Sequence, residues 1–221
     1  MRRAAPALVL AALLALAAPP AQSYAQGDGD PRVELALPVP SALGAEGPLV
    51  SSVGMLNDRQ MRDLLRNGFP ARLHYRVELW SVGGWFNDLE GSTEWDVIVQ
   101  YDPLTQSYRA ARRTGNSVEF LGRFPDLAAA ESAIGRPFRA PIAARRHGRR
   151  YYYNVTLDVE TLSVTDLDEV ERWLRGELRP AVRGKSNPAT ALTRGIRTLF
   201  VRLLGGEKRH YEHRSPTFVP K

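Results

Sequence analysis

The chain has 221 residues and no cysteine, which excludes disulfide staples, thiol catalysis, thiolate metal sites and lipidation of a mature N-terminal cysteine, so it is not a lipoprotein. Its length suits one domain with extensions, long enough to bury a core without staples. The formal net charge of +6 points to nucleic acid, an anionic membrane or an acidic partner; Lys185, Lys208 and Lys221 are the only lysines, and the arginine bias reads as GC-rich codon usage rather than phosphate specificity.

Met1-Arg2-Arg3 is a short basic start. An apolar, Ala-rich run follows from Ala4 to Ala18, interrupted at Pro6, and Ser23-Tyr24-Ala25 fits the small-x-small rule of signal peptidase. Residues 1–25 therefore read as a secretory signal peptide, with the mature chain starting at Gln26. The alternative is an uncleaved anchor, although the run falls short of the roughly 20 apolar residues that a membrane span needs. Export implies a periplasmic or envelope-associated protein and removes nucleic acid from the expected partners.

Residues 26–31 form a flexible polar start. Val33, Leu35 and Leu37 alternate with Arg32, Glu34 and Ala36 as a strand, and residues 49–53 suggest a second. Asn57 is the expected N-cap of a helix that carries Met61, Leu64 and Leu65 on one stripe. That helix stops at Asn67-Gly68 before Pro70. The clearest strand covers residues 72–80, with Leu73, Tyr75, Val77 and Leu79 on the buried face and Arg72, His74, Arg76, Glu78 and Trp80 on the other. Residues 81–92 read as a long loop. Trp95, Val97, Val99 and Tyr101 alternate in the next strand, which turns at Asp102-Pro103-Leu104-Thr105 into residues 107–113. Gly115-Asn116 is a tight hairpin turn. A short Ala-rich helix over 127–134 ends at Gly135. Pro137 and Pro141 flank a strand that must lie at an edge. Tyr151, Tyr153, Val155, Leu157 and Val159 alternate in what reads as the last strand. Helical patterns follow within 163–204, interrupted by a Pro/Gly/Ser linker over 179–188, and residues 205–221 read as a basic tail. The expected fold is mainly β: an antiparallel β-sandwich-like domain over 32–162, with short helices and a C-terminal helical extension.

Four segments carry a family resemblance: Leu65-Arg66-Asn67-Gly68-Phe69-Pro70 running into the 72–80 strand; the Trp85-Phe86-Asn87-Asp88 loop; Tyr101-Asp102-Pro103-Leu104-Thr105-Gln106-Ser107-Tyr108-Arg109; and Tyr153-Asn154-Val155-Thr156-Leu157-Asp158. The stretch from about Leu65 to Leu162 resembles an uncharacterised bacterial family of exported domains of unknown function, often encoded beside nitrogen-regulation-type sensor histidine kinases. Its members tend to carry a denser run of tryptophans in the aromatic loop than this chain does. The resemblance implies a periplasmic or membrane-associated β domain and supplies no catalytic residue.

No catalytic constellation stands out, and no cofactor or metal is expected. There is no Gly-x-Ser-x-Gly elbow. His74 falls on a polar strand face and reads as solvated, and His147 sits among arginines that repel a cation. His210 and His213 have ligand-like spacing with Glu212, but in a tail without an ordering pattern. Gly184-Lys185-Ser186 follows a helical pattern rather than a strand, so it is linker and not a phosphate loop.

Three surface features remain. Trp85 and Phe86, in a Gly-rich loop, either anchor a partner or fold back as a lid on the core. Arg145, Arg146, Arg149 and Arg150 form a basic turn, either a solvated hairpin tip or a contact for lipid phosphates or an acidic partner. The last helical pattern puts Leu192, Ile196, Leu199, Phe200 and Leu203 on one face, with Arg194, Arg197 and Arg202 opposite or at its flanks; this is a membrane-surface helix or one packed on the protein itself. The expected function is an exported, non-enzymatic envelope protein that binds a protein partner or an anionic membrane surface. The alternatives are an accessory or sensory module for a membrane signalling protein, and a hydrolase with an unrecognised site.

Overall fold

The structure is a computed structural model that describes residues 30–162 and 208–220. These residues form nine strands and two short helices, in the order β1 (Arg32–Ala36), β2 (Leu49–Val53), α1 (Arg59–Arg66), β3 (Ala71–Ser81), β4 (Asp88–Asp102), β5 (Ser107–Thr114), β6 (Ser117–Phe124), α2 (Leu127–Ile134), β7 (Phe138–Arg139), β8 (Tyr151–Thr161) and β9 (Arg209–Arg214). A three-stranded sheet, β1-β2-β7, faces a six-stranded sheet, β6-β5-β4-β3-β8-β9. Every pairing is antiparallel. The chain is therefore mainly β with two antiparallel sheets and two short helices, as its alternating strands and turn signals imply.

The period of two decides the core. Leu73, Tyr75, Val77 and Leu79 of β3, Val97 and Val99 of β4, and Val155, Leu157 and Val159 of β8 are all buried on the inner face. They meet Val33 and Val50 from the small sheet in one hydrophobic cluster. Rings set the spacing between the sheets: Tyr75 and Trp95 stack with centroids 5.0 Å apart, and Phe138 of β7 tilts against Trp95 at 5.0 Å. Polar groups within this packing are satisfied: the Ser52 and Tyr75 hydroxyls lie 2.8 Å apart, and the Tyr153 hydroxyl donates to the Ile142 carbonyl at 3.1 Å.

Local signals place most element ends. Asp58, not Asn57, caps α1, its carboxylate accepting from the Met61 N–H at 2.9 Å. Both residues are good caps, and the helix starts one position later than the Asn57 reading has it. Gly68 follows α1 with φ +88, a conformation that costs glycine nothing. Asp126 caps α2 by accepting from the Ala129 N–H. Gly115, at φ +57, turns β5 directly into β6. The short β7 lies at a sheet edge between its prolines, as their missing N–H groups require.

Two expectations are corrected. The loop after β3 is short: β4 already starts at Asp88 and its pairing with β3 runs from Ser81–Asp88 down to Ala71–Val99. A register shift beside Leu79 and Trp80 absorbs Glu90, and this irregularity masks the strand period in the sequence. Secondly, β8 is not the last strand. Arg209–Arg214, read as part of a basic tail, pair with β8 as β9. Polar residues suffice at this edge because hydrogen bonds and an ion pair hold the strand: Asp158 pairs with Lys208 at 2.7 Å and shares a hydrogen bond with the His210 Nδ1 at 2.8 Å. The chain then continues beside β8, where Phe218 bridges to Tyr151 and stacks on Tyr153 at 5.3 Å.

This register gives the large sheet two distinct ends. Ser81, Asp88 and Tyr151 share one end, while Ala71, Val99 and Thr161 share the other. The helical patterns and linker expected within 163–204 lie outside the described residues.

Candidate functional site

At the first end, six residues (82–87) join β3 to β4 and carry Trp85 and Phe86. These side chains do not fold back as a lid: they are 96% and 83% exposed. The loop is held tight beneath them. A Cβ at Gly83 would fall 2.0 Å from the Phe86 carbonyl oxygen, so only glycine permits this close approach. At its base, the Asn87 amide reaches the Tyr152 hydroxyl at 3.4 Å.

The basic turn stands beside this loop because β8 begins at Tyr151, opposite Ser81. The Val82 N–H donates to the Arg150 carbonyl at 2.8 Å, extending the β3–β8 pairing into the turn. Arg145, Arg146, Arg149 and Arg150 are all exposed. Glu90, displaced by the register shift, ties the two segments together: it meets Arg149 at 3.0 Å and Arg146 at 3.7 Å. Among the described residues, no acid pairs with Arg145 or Arg150. The C-terminal segment supports the turn from behind, where the Gly148 N–H donates to the Pro220 carbonyl at 3.3 Å. Two features remote in sequence thus become one exposed aromatic and basic tip.

Several contributors to this end are not evident from their local sequence. Trp80 and Tyr152 stack on the outer sheet face with centroids 6.4 Å apart, and the Arg214 guanidinium lies 3.6 Å from the Tyr152 ring centre. Leu89, half exposed, pairs with Trp80 across the strands. The run Tyr151-Tyr152-Tyr153 does hold the signal for Tyr152, because a strand that buries its two neighbours must turn the middle ring to the other face. Glu90 and Arg214 depend on a bulge and on a strand that polarity conceals.

A second polar cluster occupies the outer face of the sheet. Asp96 is buried and bound at 2.8 Å by each of Arg72, Arg113 and the Nδ1 of His74. His74 is therefore not the solvated side chain its alternating strand suggests; long neighbouring side chains cover it. Burial pushes the Asp96 carboxyl up, but the His74 hydrogen bond and the charges of Arg72, His74 and Arg113 outweigh it and hold the group well below the usual carboxylate range. Burial opposes the Arg72 charge, yet Asp96 and Glu160 raise its pKa further. Such a carboxylate is locked as an ion and makes a poor general base. The Nε2 of His74 faces Glu94 at 4.0 Å, and a carboxylate there supplies no nucleophile.

The other sequence candidates do not converge. Strand geometry separates His210 from His213 because residues three apart point to opposite faces; His210 pairs with Asp158. Among the described residues, no three His, Asp or Glu side chains gather in a way that could hold a metal ion. A depression of about 420 Å³ beside α1, lined by Asp58, Arg59, Gln60, Asp63, Leu64 and Asn67, is broadly open and shares no residue with the tip. No helix among the described residues is long and apolar enough to cross a membrane. Leu192, Arg194, Ile196, Arg197, Leu199, Phe200, Arg202 and Leu203 lie outside the described residues.

No curated protein and no solved structure matches the chain. A family model described as a domain of unknown function, DUF4390, matches residues 49–170, more than half of the sequence. The matched stretch runs from β2 through β8 and includes both the aromatic loop and the arginine turn. The chain belongs to this family of domains of unknown function.

Proposed function

We propose that this protein is an exported, non-enzymatic binding module of the cell envelope, and that the tip formed by residues 82–90 and 145–150 is its contact surface. One observation carries the reading: tertiary structure joins two nearly fully exposed aromatic side chains to an exposed arginine turn. Large aromatic side chains left in water are costly, and aromatic residues and arginine are the usual anchors of binding surfaces. The locked state of Asp96 and the open shape of the α1 depression support binding over hydrolysis.

Photo-crosslinking in intact cells tests this function. A photoreactive residue at position 85 should give a discrete adduct, whereas one at Leu104, 94% exposed at the opposite end of the sheet, should not. Equal labelling at both positions, or none at either, overturns the assignment of the tip. Export is tested separately by N-terminal sequencing of protein from a native envelope fraction, which should begin at Gln26.

A further inference from the structure

We infer that the tip is a docking surface for an anionic lipid bilayer, with Trp85 and Phe86 entering the boundary between headgroups and acyl chains and the arginine turn contacting lipid phosphates. This inference rests on the tip being the contact surface and adds the identity of what it contacts.

Shape comes first. Trp85 and Phe86 stand exposed in the loop beyond the last strand pair, and a bilayer can deform around such an aromatic pair without a preformed pocket. The dimensions agree as well. Three residues per arm extend beyond the last Ser81–Asp88 pair, and at about 3.3 Å per residue the loop reaches roughly 10 Å at most. Interfacial apolar groups bury about 5–10 Å into the headgroup and acyl boundary. The Val82–Arg150 hydrogen bond fixes the arginine turn at the base of that reach, which is the depth of the phosphates when the rings are inserted. The aromatic residues suit this boundary, where tryptophan is enriched.

Charge supplies the choice of lipid. The tip carries four exposed arginines and two acids, Asp88 and Glu90, of which Glu90 is already occupied by Arg146 and Arg149. The tip is therefore net positive, with Arg145 and Arg150 unpaired among the described residues. A guanidinium binds a phosphate through a planar fork of donors. The opposite end of the sheet is where the described chain leaves at Leu162 and returns at Lys208.

The test uses the full mature chain with vesicles of phosphatidylcholine, or of phosphatidylcholine with phosphatidylglycerol. Flotation should require phosphatidylglycerol and weaken as salt is added. Tryptophan emission should shift to the blue and be quenched by acyl-brominated lipid, and Trp85→Phe should abolish the quenching. Trp85→Ser with Phe86→Ser should abolish flotation; both side chains are exposed, and an unchanged thermal midpoint will show that the fold survives. Arg145→Gln and Arg150→Gln should each weaken binding about fivefold at low salt, the equivalent of about 1 kcal/mol per basic residue near an anionic surface. Glu90→Gln should strengthen binding by a similar factor, a gain that structural damage would not produce. Joint replacement of Arg194, Arg197 and Arg202 by Gln should leave the quenching intact. Failure to float, or flotation indifferent to the tip variants, overturns the inference. If position 85 instead crosslinks to one protein in cells while vesicles are ignored, the tip remains the contact surface and the lipid assignment falls. If neither occurs, both fall.

Discussion

Asp96 shows how a single residue can tie an open sheet face together. Its two oxygens receive Arg72, His74 and Arg113 from two neighbouring strands, each at 2.8 Å. Asp96→Asn removes the charge and leaves the guanidinium groups with a weaker acceptor, which should cost about 1–3 kcal/mol in denaturant unfolding. Because the folded carboxyl titrates below its unfolded value, its stabilisation is complete above about pH 4 and is lost as the pH falls through the folded value. The Asn variant should therefore lose less stability than the parent between neutral and strongly acidic pH. Tyr75 works in the opposite direction. Burial pushes its hydroxyl up to about 12, although the Ser52 hydrogen bond opposes the shift. The folded state thus favours the protonated phenol: its contribution is complete below about pH 10 and is lost as the pH rises through the folded value. Tyr75→Phe should lessen the alkaline loss of stability, followed by the unfolding midpoint from neutral pH upward.

At the scale of elements, the β3–β4 hairpin and β9 make separable predictions. Gly83→Ala places a methyl against the Phe86 carbonyl and must open the loop. It should disturb vesicle binding and adduct formation at position 85 while barely moving the unfolding midpoint, because the loop lies beyond the last strand pair. Strand interiors behave otherwise. Leu79→Ala or Leu157→Ala empties a fully packed inner-face position and should cost about 2–5 kcal/mol in denaturant unfolding. The backbone of β9 is held by β8 and its start by the Asp158 pairs with Lys208 and His210, after which Phe218 inserts against Tyr151 and Tyr153. Phe218→Ala should cost about 3–5 kcal/mol, and it should also loosen the arginine turn that Pro220 supports.

For the whole molecule, the order of the large sheet makes the domain discontinuous in sequence. β8 and β9 are hydrogen-bonded neighbours, yet residues 163–207 lie between Leu162 and Lys208. Replacing 163–207 with a short Gly/Ser linker should leave the β8–β9 pairing and the unfolding midpoint close to those of the parent. A large fall in the midpoint would show that this segment contributes to the packing of the domain. Truncation at residue 162 differs, because it removes an edge strand and the Phe218 insertion, and it should lower the midpoint sharply.

Several features follow from the sequence alone. Alternation at Leu73, Tyr75, Val77 and Leu79, and again at Val155, Leu157 and Val159, assigns the buried face because burying one face of a strand imposes a period of two. Gly115, Asp126 and the prolines around β7 mark a hairpin, a cap and an edge through local backbone constraints. Trp85, Phe86 and the four turn arginines are visible as unusual surface residues, but nothing local says that they meet. Their meeting depends on the β3–β8 register, to which Glu90, whose position arises from a bulge in strand pairing, adds ion pairs. The same holds for β9, whose polar sequence offers no periodicity and whose partner lies some 50 residues away. Local chemistry specifies which face of a strand is dry and where a chain turns. Which distant segments share an edge or a tip is decided by long-range hydrogen-bond register and packing, which no sequence window contains.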